Sequence, residues 1–527
     1  MADIRQPYLF PKLLSGSGFT LKPERLNFWQ ISIFAAAVIV SIAVKIYLIP
    51  FSIMETNIPV INVWSAYWWA ENPFFVLPDG GYPLWLYFMG PLLKITGEMF
   101  LTPAFAMIIL ISIACIYVFK ITLMLSDFKT ALLAFFIAAL NPVIFRLNFE
   151  PGGEQIFLAA LCIMIYYFIR ALASDKSVMY FIITGIFSFI ALASAPEAIF
   201  VIVPMCTLAF ITRRNGCCYY IGLSLLFPII WFTASYALYG NSFRSFTSVF
   251  QNANFESLSP GLKIKGFFLP YYFLILGLTI IMFYYFLKGI IFLYKGYPKV
   301  FFVALLTPIL ATATAGGIAG IVSESFHTTR LIYLMFLISP VITALGLNSD
   351  LSKIRFSILQ GAFASVVILS CIPLSYMRDF LPEKYGTIFS KELEFIAAPN
   401  TSDDSARLVD FIVNNIRQYP ALIFDADQSA PGIFYVPYCT KFAPPEKLLI
   451  SGYNEPADKE YLTGEIKSFF KKNPKGIIMF RKDANTVMNK IFTQLTAPKH
   501  YIRNDMTKTL ETDKWIVYIY HPPVEIK

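Results

Sequence analysis

The sequence predicts a polytopic α-helical membrane protein of about eleven transmembrane helices with a C-terminal α/β domain. Of its 527 residues, 57% are hydrophobic and only 14% are charged, a composition typical of integral membrane proteins. The apolar residues lie in runs of about 20, the length that an α-helix needs to cross the hydrocarbon core of a bilayer. Beyond about residue 377 these runs stop, and strand-like stretches alternate with helical patterns, which is typical of an α/β layer domain.

Basic residues predict the orientation of the helices. The first 27 residues are basic and lack a cleavable signal-peptide pattern, so we interpret 1–27 as a cytoplasmic segment. From there, every inward end contains Lys or Arg, as the positive-inside rule requires. This predicts a transmembrane domain over 28–376 and an extracytoplasmic domain over 377–527. The spans are predicted at 28–50, 101–125, 130–147, 155–173, 179–195, 198–212, 219–239, 268–294, 300–322, 331–347 and 356–376.

The first outer segment, 51–100, is unusually long and only partly polar. Residues 58–72 are aromatic and amphipathic, which suits a segment lying in the interface plane. Residues 82–97 are apolar but too short and too proline-broken to span, so we expect them to dip in from the same side. Irregular backbone at membrane depth is tolerated only against protein or a water-filled cavity. The segment therefore favours an enzyme vestibule.

The C-terminal region has the pattern of a small layered domain. Its strand-like stretches and helical stretches alternate along the chain, and Asn473-Pro474 marks a turn. Strands are predicted at 421–424, 476–480 and 515–520, and helices at 403–417, 457–472 and 484–495.

Carboxylates recur on the predicted outer side of the membrane. Ionisable residues so close to hydrocarbon are costly, so they are functional candidates by default. Each also has an ordinary explanation, either as a solvated loop residue or as an acid that favours the positive N-terminus of a helix. Their recurrence on one side favours a shared site, in which the residue that follows the first span could be a general base. These carboxylates are Glu55, Glu150, Glu154 and Glu197.

A cation occupies the same predicted side. Arg330 begins a late span, where both the positive-inside tendency and the helix dipole disfavour it. Arginine suits phosphate because its planar guanidinium donates two parallel hydrogen bonds. The alternative is an internal ion pair with Glu324 or another outer carboxylate. His327, one turn earlier, could donate to the same anion or be an ordinary polar residue.

Several functional classes lack support in the sequence. The seven cysteines are scattered and fit neither a disulfide framework nor a zinc site. Walker, GxGxxG and HExxH motifs are missing, so cytoplasmic nucleotide hydrolysis is unsupported. The net charge of +9 is explained by the basic inward loops and predicts no nucleic-acid partner.

Taken together, these residues resemble the GT-C superfamily of polytopic glycosyltransferases, and most of all its protein O-mannosyltransferase and aminoarabinose-transferase branch. Four places over about residues 28–350 carry the resemblance. They are an acid after the first span, a proline-aromatic stretch ending in glycine, an Asn-Pro pair with an acid opening the next span, and an arginine-bearing start of a late span. In this chain they are Glu55, Tyr82–Gly97, Asn141-Pro142 with Glu154, and Arg330 with Pro340.

The resemblance implies an integral membrane protein, of a bacterial inner or plasma membrane, that uses a sugar linked to polyprenyl phosphate. The acceptor would be a lipid-linked glycan, a lipid or a protein outside the cytoplasm. Glu55 would deprotonate the acceptor, which attacks the anomeric carbon with inversion, and Arg330 would bind the phosphate. The other substrate-binding residues would be Asn57, Glu150, Glu154, Glu197 and His327.

The first outer motif departs from that family. Members often have two acids there, whereas this chain has Glu55-Thr56-Asn57. Oxygen ligands from Glu55 and Asn57 could still hold Mg²⁺ or Mn²⁺, though one charge fewer weakens such a site. Metal dependence is therefore open at this point.

Two other functional classes also stay open. A multi-pass transporter or flippase of a lipid-linked or anionic substrate fits the intramembrane charges, although repeated halves are not visible in the sequence. An O-antigen-type polymerase or ligase also acts on lipid-linked glycans outside, but typically through arginine-rich outer loops, and here carboxylates dominate. Turnover of a labelled polyprenyl-phosphate sugar by purified protein discriminates among the three.

Overall fold

The first apolar run forms one continuous helix, α1 (Phe28–Leu48), in the computed structural model. Asn27 caps it, because its side chain accepts a hydrogen bond of 2.8 Å from the Gln30 N–H while the Gln30 side chain accepts one of 3.0 Å from the Asn27 N–H. This reciprocal pair satisfies two donors that a helix start leaves open. Large side chains of α1 are exposed, Phe28 at 76% and Ile39 at 65%, as expected of a helix that faces lipid.

The structure describes most of the helical region and parts of the C-terminal region. The described residues are 26–49, 62–63, 65–67, 69–70, 73, 83–97, 101–148, 152–173, 177–212, 215–240, 278, 281–322, 328–351, 408, 411–412, 414–425, 448–451, 468–469, 471–481, 506–511 and 515–520. The helices after α1 are α2 (Pro83–Thr96), α3 (Leu101–Leu125), α4 (Phe128–Leu140), α5 (Pro142–Arg146), α6 (Glu154–Ala173), α7 (Ser177–Ser194), α8 (Ile199–Thr212), α9 (Cys217–Tyr239), α10 (281–296), α11 (Lys299–Val322) and α12 (Thr328–Leu351).

Six helical stretches among the described residues are long and apolar enough to cross a membrane. This confirms that the chain is a polytopic helical membrane protein. The predicted number of eleven spans stays a prediction, and the predicted span 356–376 lies outside the described residues. The six stretches are Phe28–Tyr47, Leu101–Leu125, Glu154–Ala173, Ser177–Ser194, Cys217–Ala237 and Tyr333–Leu351.

The predicted span 130–147 is not one helix. It breaks at Asn141, whose backbone leaves the helical region (φ −59°, ψ 125°), and α5 begins at the next residue, Pro142. The Asn141 side chain accepts hydrogen bonds from the N–H groups of Val143 (3.0 Å) and Ile144 (3.3 Å). Proline disfavours helical backbone in the residue before it, and asparagine is a good cap, so the Asn-Pro pair ends one helix and begins another.

The core of the bundle lies along α3 and α6, most of whose residues are buried. Helix α1 packs on α3 through Phe34 and Phe119, whose rings stack with centroids 3.8 Å apart. Helices α10 and α12 approach even more closely, because a methyl group on Gly289 would overlap the Ile342 carbonyl. Glycine at such a crossing brings two backbones together, as is common between membrane helices.

A five-stranded sheet forms in the C-terminal region, in the order β2-β1-β3-β5-β4. Strand β1 pairs in parallel with β2 and β3, and β5 pairs antiparallel with β3 and β4. Three of the strands lie on the segments predicted to be strands, whereas β2 and β4 were not predicted. The strands are β1 (Ala421–Asp425), β2 (Leu448–Ser451), β3 (Gly476–Arg481), β4 (Met506–Glu511) and β5 (Trp515–Tyr520). The division of the chain into three domains stays a prediction.

Candidate active site

The structure describes three of the seven predicted site residues. Glu154 is the first residue of α6, and Glu197 lies in the short 3₁₀ helix Pro196–Ala198 between α7 and α8. Arg330 is the third residue of α12, and only its backbone position is described. The other predicted residues lie outside the described part of the chain: Glu55, Asn57, Glu150 and His327.

Glu154 is partly exposed and lies where Gly152 meets the segment that contains Asn62. A methyl group built on Gly152 would lie under 3.0 Å from the Glu154 carboxylate oxygen Oε2 and 3.4 Å from the Asn62 side-chain nitrogen Nδ2. The carboxylate and the amide therefore converge on one side of the Gly152 backbone. A carboxylate accepts hydrogen bonds and a carboxamide both donates and accepts them, so the pair can orient a hydroxylated ligand.

The Asn62 backbone is held by the first outer segment itself. Its carbonyl accepts a 2.8 Å hydrogen bond from the indole Nε1 of Trp85, a fully buried residue of α2. Nearer the C-terminal end of α2, the Lys94 Nζ donates a hydrogen bond of 3.1 Å to the Ala70 carbonyl. A methyl group on Gly90 would lie 2.8 Å from the Ala66 carbonyl oxygen. Helix α2 and the described helical residues between 62 and 70 thus form one tightly packed unit, which we call the outer cover.

Buried amides fix the turn that precedes Glu154. The Asn148 side chain donates to the Phe145 carbonyl at 2.6 Å, and the Gln155 side chain donates to the Leu147 carbonyl at 2.8 Å. Asn141, Asn148 and Gln155 are all fully buried. Buried polar groups of this kind specify one backbone arrangement because leaving them unbonded is costly. The Asn-Pro pair thus has a structural role: it starts α5, and the hydrogen bond from Gln155 to the Leu147 carbonyl ties the end of α5 to the start of α6.

Glu197 is partly exposed as a residue, but its Oε2 atom has no contact with solvent. Burial raises the pKa of the Glu197 carboxyl above its ordinary value, and a hydrogen bond from its own backbone opposes part of that shift. A carboxyl group of this type can exchange a proton nearer neutral pH than a solvated one. A site shared by Glu197 and Glu154 stays a prediction.

Sequence reasoning missed Lys45, Asn62, Trp85 and Gly152. Lys45 lies within α1, is only 1% exposed, and its Nζ has no hydrogen-bond partner. The sequence alone could have indicated Lys45, because placing a charged lysine within an apolar membrane span costs free energy and marks a functional candidate. Asn62, Trp85 and Gly152 gave no comparable signal, because their importance comes from contacts between segments far apart in the sequence.

The metal site expected at Glu55 and Asn57 stays a prediction. Within the described ranges, no group of three or more His, Cys, Asp or Glu side chains is arranged to hold a metal ion. The predicted ligands of Mg²⁺ or Mn²⁺, Glu55 and Asn57, lie outside those ranges.

One family of known proteins matches part of this sequence. Residues 78–236 match the sequence profile of the dolichyl-phosphate-mannose-protein mannosyltransferases. This segment contains α2, the Asn141 break and Glu154. No curated protein sequence matches the chain.

Solved structures extend the match to nearly the whole chain. ArnT from Cupriavidus metallidurans bound to undecaprenyl phosphate aligns over 94% of this chain and 98% of its own, at 12% identity and a TM-score of 0.60. The apo state of the same protein aligns over 93% and 97%, at 12% identity and a TM-score of 0.56. The apo oligosaccharyltransferase of Archaeoglobus fulgidus aligns over 86% of this chain and 70% of its own, at 14% identity and a TM-score of 0.52.

This chain has the GT-C glycosyltransferase fold. The resemblance inferred from Glu55, the 82–97 stretch, Asn141-Pro142 with Glu154, and Arg330 is therefore confirmed at the level of the fold. The roles of those residues are not tested by the match, because identities of 12–14% establish a fold rather than a set of catalytic side chains.

Proposed function

We propose that this GT-C protein transfers a sugar from a polyprenyl-phosphate donor to an acceptor at the outer face of the membrane, with inversion. The observation that carries the proposal is the alignment with ArnT over 94% of the chain, since that structure contains undecaprenyl phosphate, a polyprenyl phosphate. The packed outer cover and the Glu154–Asn62 pair support it, because they place polar ligand-orienting groups beside a segment able to exclude water.

In the proposed reaction, Glu55 takes the proton of the acceptor hydroxyl, and the acceptor oxygen attacks the anomeric carbon. The bond between that carbon and the phosphate oxygen breaks, and polyprenyl phosphate leaves with the electron pair. Arg330 stabilises the negative charge that grows on the phosphate. Electrostatic stabilisation of this kind is usually the largest single contribution to lowering the barrier of a reaction. His327 assists Arg330.

The remaining predicted residues bind the sugar and the acceptor. Glu154 and Asn62 accept and donate hydrogen bonds to sugar or acceptor hydroxyls, and Glu150 and Glu197 lie in the two neighbouring connections on the predicted outer side. Asn57 either binds substrate or joins Glu55 in holding a divalent cation. The N-terminus is proposed to be cytoplasmic and the C-terminal sheet extracytoplasmic, as the basic inward ends predict.

The test is turnover of a labelled polyprenyl-phosphate sugar by the purified full-length protein in nanodiscs. Glu55→Gln keeps the shape of the side chain and removes its basicity, so turnover should fall about 10²-fold or more with donor binding nearly intact. The matched control is Glu98→Gln, a carboxylate of the same outer segment with no proposed role. Full activity of Glu55→Gln would move the base to Glu150 or Glu154, and no transfer by the wild type to any acceptor or water would reject the reaction.

The phosphate role of Arg330 has a separate test. Arg330→Lys keeps the charge but loses the two-pronged donor, so its donor affinity should lie between those of the wild type and Arg330→Ala. Thermal stability is measured for both variants alongside affinity. Destabilisation with unchanged donor affinity would reject the phosphate role in favour of an internal ion pair.

A further inference from the structure

Two cations and four tyrosines cluster at the end of the bundle opposite Glu154. Lys120 of α3 lies 4.9 Å from the centroid of the Tyr117 ring and 5.6 Å from that of Tyr166. Arg170 of α6 lies over Tyr166 and over Tyr180 of α7, 5.5 and 5.0 Å from their centroids. We call this set the tyrosine–cation cluster; it comprises Tyr117, Lys120, Tyr166, Tyr167, Arg170 and Tyr180.

The cluster is a built arrangement rather than a set of loose surface side chains. Arg170 donates a 2.9 Å hydrogen bond to the hydroxyl of Tyr166, which is only 2% exposed. The rings of Tyr166 and Tyr167 are 4.9 Å apart, and the Tyr117 ring lies 5.2 Å from Tyr166. Cation–π contacts hold a charged group in place without neutralising it, so these contacts give both cations a defined position.

Lys120 lacks a carboxylate partner among the described residues, and its recorded contacts are with the two tyrosine rings. Lys288 differs, because it forms an ion pair with Asp350. Lys120 and Arg170 are both partly exposed. The Lys120 ammonium is therefore available to an anion that approaches from outside the bundle.

The position of the cluster identifies the anion. Lys120 and Arg170 lie within two turns of the ends of their helices at Leu125 and Ala173, and α6 separates Arg170 from Glu154 by about 24 Å. This end carries the basic connections and is the cytoplasmic one under the predicted topology. Basic pockets between helices on that side bind anionic head groups, and the leaflet there is rich in anionic lipid.

We propose that the tyrosine–cation cluster binds the phosphate head group of an anionic phospholipid of the inner leaflet. Lys120 and Arg170 contact the phosphate, and the partly exposed rings of Tyr117, Tyr167 and Tyr180 pack against the glycerol backbone. The site is separate from the proposed transfer reaction and does not depend on it.

The test compares the purified full-length protein in nanodiscs of phosphatidylcholine alone and in nanodiscs where about one lipid in three is phosphatidylglycerol. Native mass spectrometry counts retained phosphatidylglycerol per folded molecule, and thermal unfolding is followed in parallel. We expect the wild type to retain the anionic lipid and to gain thermal stability from it. Lys120→Gln should weaken retention about tenfold or more, because it removes a positioned, charge-assisted hydrogen bond to the phosphate.

Two variants make the result specific. Lys120→Arg keeps the charge and should retain the lipid, and Lys129→Gln removes an exposed lysine at the same end of the bundle and should leave retention unchanged. Equal losses for Lys129→Gln and Lys120→Gln would overturn the proposal in favour of general surface attraction. So would wild-type retention by Lys120→Gln. If inorganic phosphate alone reproduced the stability gain in phosphatidylcholine, the site would bind free anions rather than a lipid.

Discussion

The carboxylate of Glu154 lies against the backbone of Gly152 so closely that a methyl group on Gly152 would come under 3.0 Å from Oε2. The same methyl group would be 3.4 Å from the Asn62 side-chain nitrogen. The φ angle of Gly152 is not in the left-handed region, so an alanine here is opposed by space rather than by backbone conformation, and the atom in its way is the movable end of the Glu154 side chain. A substitution of Gly152 can therefore displace the Glu154 carboxylate while residue 154 itself stays glutamate.

Gly152→Ala should lower turnover while the protein stays folded. The added methyl group forces the Glu154 carboxylate away from Asn62, and a misplacement of about 1 Å at a positioned group can reduce the rate about 10²-fold. Turnover of the polyprenyl-phosphate sugar and thermal unfolding are measured on the same preparation. Gly222→Ala is the matched control, because a methyl group there meets nothing within 4 Å and should be neutral or mildly stabilising. Normal turnover of Gly152→Ala would show that the carboxylate position seen here is not needed for the reaction.

Trp85→Phe should loosen the outer cover. It deletes the indole N–H that donates to the Asn62 carbonyl and leaves that acceptor without its partner, at a cost of about 1–3 kcal/mol. We expect lower thermal stability and lower turnover together, since Asn62 borders Glu154. Trp231→Phe is the control, because the Trp231 Nε1 is buried and has no hydrogen-bond partner among the described residues. Removing that N–H breaks no hydrogen bond, so this variant loses ring volume alone. Equal effects of the two variants would show that ring volume, not the hydrogen bond, is responsible.

The parts of the fold that depend on local sequence could be predicted. Long apolar runs such as Leu101–Leu125 give helices because each satisfies its own backbone hydrogen bonds inside the membrane. Strands β1, β3 and β5 are apolar enough to be read from pattern. Strand β4 (Met506–Glu511) is polar and lies at the edge of the sheet, where apolar alternation is weakest, so its sequence gave little signal.

Only those parts of the site that depend on neighbouring residues in the sequence could be predicted. The position of Glu154 at a helix start follows from the Asn-Pro pair and the apolar run after it. Its neighbour Asn62 and the glycine that admits its carboxylate could not be predicted, because they depend on how the outer cover docks. Lys45 could have been found, as a lysine inside the first span, and the single helix predicted over 130–147 was wrong because Asn141-Pro142 is a break.

Glu197→Gln should change how stability depends on pH. Burial raises the pKa of Glu197 in the folded state, so the folded protein binds this proton more tightly than the unfolded chain does. The resulting stability is fully present below the unfolded pKa of about 4.3 and is lost as the pH rises through the higher folded value. Glutamine cannot ionise, so the thermal midpoint of Glu197→Gln relative to the wild type should increase with pH across that window. A difference that is constant with pH would show that the carboxyl group titrates normally.

Lys45→Met should stabilise the protein. The Lys45 ammonium is buried within α1 and its Nζ has no hydrogen-bond partner, which costs free energy that methionine, with a similar length and no donor, does not incur. We expect the free energy of unfolding to rise by about 1–3 kcal/mol, measured by thermal or denaturant unfolding in detergent. Lys94→Met is the opposite control, because the Lys94 Nζ donates to the Ala70 carbonyl, and it should destabilise. Destabilisation by Lys45→Met would mean that the ammonium is needed where it lies, and loss of turnover in a stabilised Lys45→Met protein would place Lys45 in the reaction rather than in the packing.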